Sequence, residues 1–107
     1  MDLKRFDVVL VDLDPTRGSE IRKTRPCAIV SPDEMNRSLR TLIVAPMTRG
    51  GQRYPTRVPC RFDGSDGFVA LDQLRTIDRD RVVRRAGRLE PTTQHEVLDV
   101  LGRMFAA

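Results

Sequence analysis

Six short β-branched, apolar runs, each bounded by Pro, Gly, Asn or Asp, recur along the chain with no amphipathic helix between most of them. They are FDVVLVDL at residues 6–13, RPCAIVS from Arg25, TLIVAP from Thr41, PTRVPCRF from Pro55, GFVALDQL from Gly67 and RVVRRAGRL from Arg81. Parallel strands need long crossovers that these spacings do not supply. The pattern therefore predicts an antiparallel, strongly curved sheet or a small barrel. In the fourth run Thr56, Val58, Cys60 and Phe62 alternate with Arg57, Pro59, Arg61 and Asp63, giving one inward and one solvated face. Proline cannot donate to a ladder, so Pro59 makes this an edge or bulged strand.

One long helix is predicted near the C-terminus, where Val97, Leu98, Leu101, Met104 and Phe105 form a stripe at helical spacing. Its start is set either by a capping box of Thr93 and Glu96 or by Pro91 at the first helical position. A short helical turn is predicted after Ser31-Pro32, over residues 33–37.

With 107 residues, 39% hydrophobic and 32% charged, the chain has the size and balance of one soluble domain spanning 1–107. No apolar run reaches the ~20 residues that span a bilayer, and the first six residues lack the apolar region of a signal peptide, so a cytoplasmic protein is expected. Cys27 and Cys60 lie in apolar or strand-like runs and read as reduced, buried thiols. The net charge of +4 comes mostly from arginine, whose planar fork suits phosphate, so a polyanionic partner is one reading and simply solvated surface arginines the other.

Two loops stand out: residues 14–24, charged and glycine-containing, and residues 48–54, reading TRGGQRY. In the second loop Arg49, Arg53 and Arg57 flank Gly50-Gly51 and Tyr54, a pattern suited to tracking a nucleic-acid backbone while a base stacks on the ring. Ordinary packing of Tyr54 is the competing reading.

Nucleases work through metal-bridged carboxylates, paired histidines, or arginine and hydroxyl groups that stabilise a crowded phosphate. His95 is the sole histidine, so a histidine pair within one chain is impossible. Asp12, Asp14 and Glu20 offer hard oxygen ligands for magnesium, but acidic residues after a strand more often cap turns or pair with arginines. Arginine plus hydroxyl remains.

Four segments, DLDPTRGSE at residues 12–20, RPCAIVS at 25–31, VAPMT at 44–48 and LDQLRTIDRDR at 71–81, occur in an order that closely resembles the MazF/PemK/Kid toxins. The resemblance implies an SH3-like barrel of the CcdB/PemK type with a C-terminal α-helix, and an active homodimer. It implies a sequence-specific, metal-independent endoribonuclease, needing no cofactor, that cuts single-stranded RNA and is held by a cognate antitoxin. Arg25 and Thr48 fall on the family's catalytic arginine and threonine. Glu20 and Gln73 match positions that shape the loop and contact RNA, joined here by Arg49, Arg53 and Tyr54 as candidate RNA contacts. RNA supplies its own 2′-hydroxyl nucleophile, so Arg25 need only neutralise phosphate charge while Thr48 donates or relays a proton. The general base is left unnamed. The purely structural reading pairs Arg25 with Glu20 and bonds Thr48 within its own turn. Where the family often has Glu-Gln-x-Gly, this chain has Glu20-Ile21-Arg22-Lys23, a more basic and less flexible first loop.

Two other activities share the barrel. A CcdB-like gyrase inhibitor acts through a tryptophan-containing tail, which this chain lacks, and a noncatalytic SH3-like module would bind a partner and leave RNA intact.

Overall fold

A computed structural model describes residues 1–107. Its strands are β1 (Asp7–Asp12), β2 (Thr24–Ile29), β3 (Thr41–Arg49), β4 (Arg57–Phe62), β5 (Ser65–Ala70), β6 (Arg75–Asp78) and β7 (Val82–Arg88). Two helices, α1 (Asp33–Ser38) and α2 (Pro91–Met104), complete it. All pairings are antiparallel, in the order β4-β5-β3-β2-β1-β7, with β6 beside β3. Six of the seven strands lie in the six runs singled out in the sequence. The seventh, β6, was missed because RTID places only Ile77 in the interior.

Two apolar clusters fill the curved sheet. One gathers Val8, Ala28, Ala45, Val58, Val69 and Leu71 with α2, and the other gathers Val9, Val11, Leu13, Cys27, Ile29, Leu42 and Ile77. Consecutive residues of β1 thus feed opposite clusters, as the two-residue side-chain period requires. No ladder joins β4 to β7, so the barrel-like sheet is not closed. Pro59 sits on the edge strand β4, where its missing N–H costs no ladder bond.

Of the two helix starts that the sequence allows, the structure takes Pro91, which follows Glu90 with no capping side chain, so Thr93 and Glu96 do not form the box. The buried residues of α2 are Val97 and Val100, with Leu101 and Met104 packed beside them, whereas Leu98 and Phe105 face solvent. The i, i+3, i+4, i+7 stripe is narrower than expected because α2 rests mainly on β4.

Asp7, with its side chain 2% exposed, fastens β1 to β7. Its carboxylate accepts from the Lys4 N–H at 2.9 Å and from Arg85 and Arg88, each at 3.1 Å. Burial alone would raise its pKa; the guanidinium and amide donors outweigh it and hold the carboxyl below its usual range.

Candidate active site

The reactive candidates meet because β3 changes partners halfway. Its first half pairs with β2 in the register Ala28↔Ala45 and Cys27↔Pro46, and its end pairs with β5 as Thr48↔Phe68 and Arg49↔Gly67. Continuing the β2 register by two residues sets Arg25 opposite Thr48, beyond the last bonded pair. The strands part there, and the gap is a cavity of about 300 Å³ lined by Arg25, Thr48, Arg49, Cys60, Phe62 and Ser65 among others. A second cavity of about 380 Å³ shares Arg25, Met47, Thr48 and Arg49 and extends the cleft under the first loop, along Glu20 to Lys23.

Gly67 makes the crossing possible. A Cβ at this position would lie 1.7 Å from the Thr48 carbonyl oxygen, closer than any side chain is tolerated. The Thr48 hydroxyl accepts from the Phe68 N–H at 3.2 Å and donates to the Gly50 carbonyl at 3.2 Å. It is thereby held in its own turn, as the structural reading of Thr48 required, while still lining the cleft. Arg25 does not pair with Glu20: its Nε donates to the Arg22 carbonyl at 3.2 Å, and no carboxylate neutralises it. Arg49 is likewise exposed and unpaired. Unpaired guanidinia beside a cavity are well suited to a phosphate.

The first loop is tightly anchored. Arg81 donates to the carbonyls of Asp12 and Asp14 at 3.1 and 2.7 Å, and Arg75 donates to that of Leu13 at 3.0 Å. Asp14 accepts from the Lys23 N–H at 3.1 Å. Glu20 turns back to accept from the Arg17 N–H, and Gln73 accepts from the Ile21 N–H at 3.3 Å. These carboxylates cap turns, and no three acidic, cysteine or histidine side chains converge on a metal-sized site. Glu20 and Gln73 share a cavity of about 290 Å³ behind the loop.

The second loop goes elsewhere. Arg53 reaches Glu96 of α2 at 3.7 Å and lines a separate cavity with Arg61 and Thr93. Tyr54 lies under the Arg57 guanidinium, 5.3 Å from ring centre to carbon, and Arg57 is itself held by both oxygens of Asp72 at 3.0 and 3.1 Å. The structure therefore brings Arg25, Thr48, Arg49 and Glu20 to one cleft, leaves Gln73 behind its wall as a latch, and turns Arg53 and Tyr54 away.

Sequence reasoning missed Phe62, Ser65 and Arg84 as neighbours of this cleft. The alternation of Val58, Cys60 and Phe62 had placed Phe62 inward; nothing local marks Arg84. Burial pushes the Cys60 thiol up to about 11 and the Cys27 thiol up to about 12, with neither in a disulfide.

The sequence profile of PemK-like, MazF-like toxins of type II toxin-antitoxin systems matches residues 4–105. An Escherichia coli protein named Endoribonuclease PemK is 40% identical over 96% of this chain and 80% of its own. A Staphylococcus epidermidis Endoribonuclease MazF is 34% identical over 92% and 88%. The crystal structure of MazF from Deinococcus radiodurans superposes with a TM-score of 0.84 at 24% identity, covering 97% of this chain and 96% of that one. A structure described as an endoribonuclease in complex with its cognate antitoxin, from a mycobacterial species, gives 0.79 at 22% identity over 94% and 92%.

Proposed function

Because the chain belongs to the PemK-like, MazF-like toxin family of type II toxin-antitoxin systems, we propose that it is an endoribonuclease that cuts single-stranded RNA at short sequences and so arrests translation. The observation that carries this reading is that Arg25 and Thr48 line one cleft where β2 and β3 part, with Arg49 beside them. The substrate's 2′-hydroxyl gives up its proton as its oxygen bonds the adjacent phosphorus, the bond from phosphorus to the 5′-oxygen breaks and that oxygen takes up a proton, and a 2′,3′-cyclic phosphate and a 5′-hydroxyl remain. Arg25, freed of any carboxylate, hydrogen-bonds the phosphate oxygens more strongly as their charge grows. Thr48 turns its proton from the Gly50 carbonyl to the same oxygens.

No metal is required in this scheme. Residues 1–107 act as one toxin domain, in the cytoplasm and as a homodimer, until a cognate antitoxin binds; the bare cations of the cleft suit an acidic segment of such a partner.

A long mixed RNA incubated with the purified protein in EDTA should yield fragments bearing cyclic phosphate and 5′-hydroxyl ends, with DNA uncut. Activity abolished by chelator and restored by magnesium would overturn the mechanism.

A further inference from the structure

Beyond the reactive pair the cleft continues over the seam of the open sheet. A cavity of about 450 Å³ shares Pro26, Arg49 and Phe62 with the first and adds Asp63 and Arg84. Its floor crosses three strands in line, since Leu10 of β1 faces Pro26 on one side and Arg84 on the other. Its size falls in the range of ligand pockets.

Phe62 forms the wall between the two cavities. The ring packs on the core beside Ala86, and its Cε1 lies 3.4 Å from the place a Cβ would take on Gly87. A ring fixed in this way offers a stacking face without further ordering. Asp63 and Gly64 form a two-residue hairpin turn with φ of 53° and 75°, the Asp-Gly chemistry that such turns favour. The neighbouring Arg61 is occupied by Asp66 at 2.9 Å and the Gly64 carbonyl at 3.2 Å, which leaves the Asp63 carboxylate unpaired. Arg84 meets no carboxylate either, and its Nη1 reaches only the Arg85 carbonyl at 3.5 Å.

We propose that this cavity is a base-reading subsite that selects guanine next to the scissile phosphate, with Phe62 stacking the base and Asp63 reading its edge. The inference rests on the ribonuclease reading above. A carboxylate only accepts hydrogen bonds. Guanine presents two adjacent donors, N1–H and N2–H, on its Watson–Crick edge, matching two carboxylate oxygens. Adenine and cytosine present one amino group, and uracil one N–H between two acceptors. Arg49 and Arg84 flank the base and hold the phosphates on either side.

The test maps every cut made in a random-sequence RNA by the wild type, Asp63→Asn and Phe62→Leu, with melting curves for each. Asparagine occupies the same left-handed turn position, so Asp63→Asn should fold normally. Wild-type cuts should carry guanine at one fixed position beside the break. Asp63→Asn should lose that preference by about tenfold or more. Phe62→Leu should weaken the use of all sequences by roughly 5- to 150-fold, the cost of one lost stack. A wild type that cuts RNA without a fixed guanine, or variants that cut at the same sites and rates as the wild type, would overturn the subsite and leave the ribonuclease reading standing. A wild type that cuts no RNA removes both.

Discussion

The loops at residues 14–24 and 48–54 look alike as sequence: each is basic, glycine-containing and long enough to reach a substrate. In the folded chain they have opposite fates. The first is fastened by Arg75, Arg81 and Gln73 and forms one wall of the cleft that holds Arg25. Past Arg49 the second bends toward α2, where Arg53 meets Glu96 and Tyr54 lies under Arg57. Whether a cation is available thus depends on which carboxylate the fold places beside it, and composition does not record that.

Substitutions at five positions test the contrast. Gly67→Ala should be the most damaging, costing about 3 kcal/mol or more in thermal or denaturant unfolding, since a Cβ 1.7 Å from the Thr48 carbonyl must push β3 and β5 apart. A variant of wild-type stability would show that the crossing is looser than described. Arg25→Ala should slow cleavage about 100-fold or more with a native melting curve, while Arg53→Ala should change it less than about threefold. Equal losses from the two would erase the distinction between the loops.

Gln73→Ala removes the acceptor for the Ile21 N–H and should raise KM several-fold through a looser first loop, at about 1 kcal/mol of stability. Gln73→Glu keeps an acceptor and should restore KM; a drop in kcat alone would argue for direct contact with RNA. The smallest effect belongs to Asp72, whose pKa is lowered first by the hydrogen bond from Arg57. A depressed carboxylate contributes stability above its unfolded pKa of about 3.9 that disappears as pH falls through the lower folded value. Asp72→Asn should therefore cost up to about 1 kcal/mol at pH 7, the partly exposed pair being partly screened, and the deficit should shrink below about pH 4.

Most strands were legible because β-branched runs and turn residues are local signals. The helix was legible in place but not in phase, since either of two neighbouring stripes fits the spacing and only the width of the contact with β4 selects Val97 and Val100 over Leu98 and Phe105. The two reactive candidates were reached through the family resemblance. Their juxtaposition follows from the β2–β3 register, which no short segment reveals. Arg53 with Glu96 and Gln73 with Ile21 are contacts between distant segments, which neither the local setting of Arg53 nor the family match of Gln73 could reveal.

Cys60 stands in the wall of the reactive cleft with its thiol pushed up to about 11. At neutral pH only about one molecule in ten thousand carries the thiolate there, and the thiolate is the form that peroxides and alkylating agents attack. The Cys60 thiol should thus react only slowly with oxidants, although it stands at the cleft wall. Iodoacetamide would mark Cys60 only slowly, and faster labelling on warming or in urea would report the seam between β4 and its neighbours opening before the rest of the sheet.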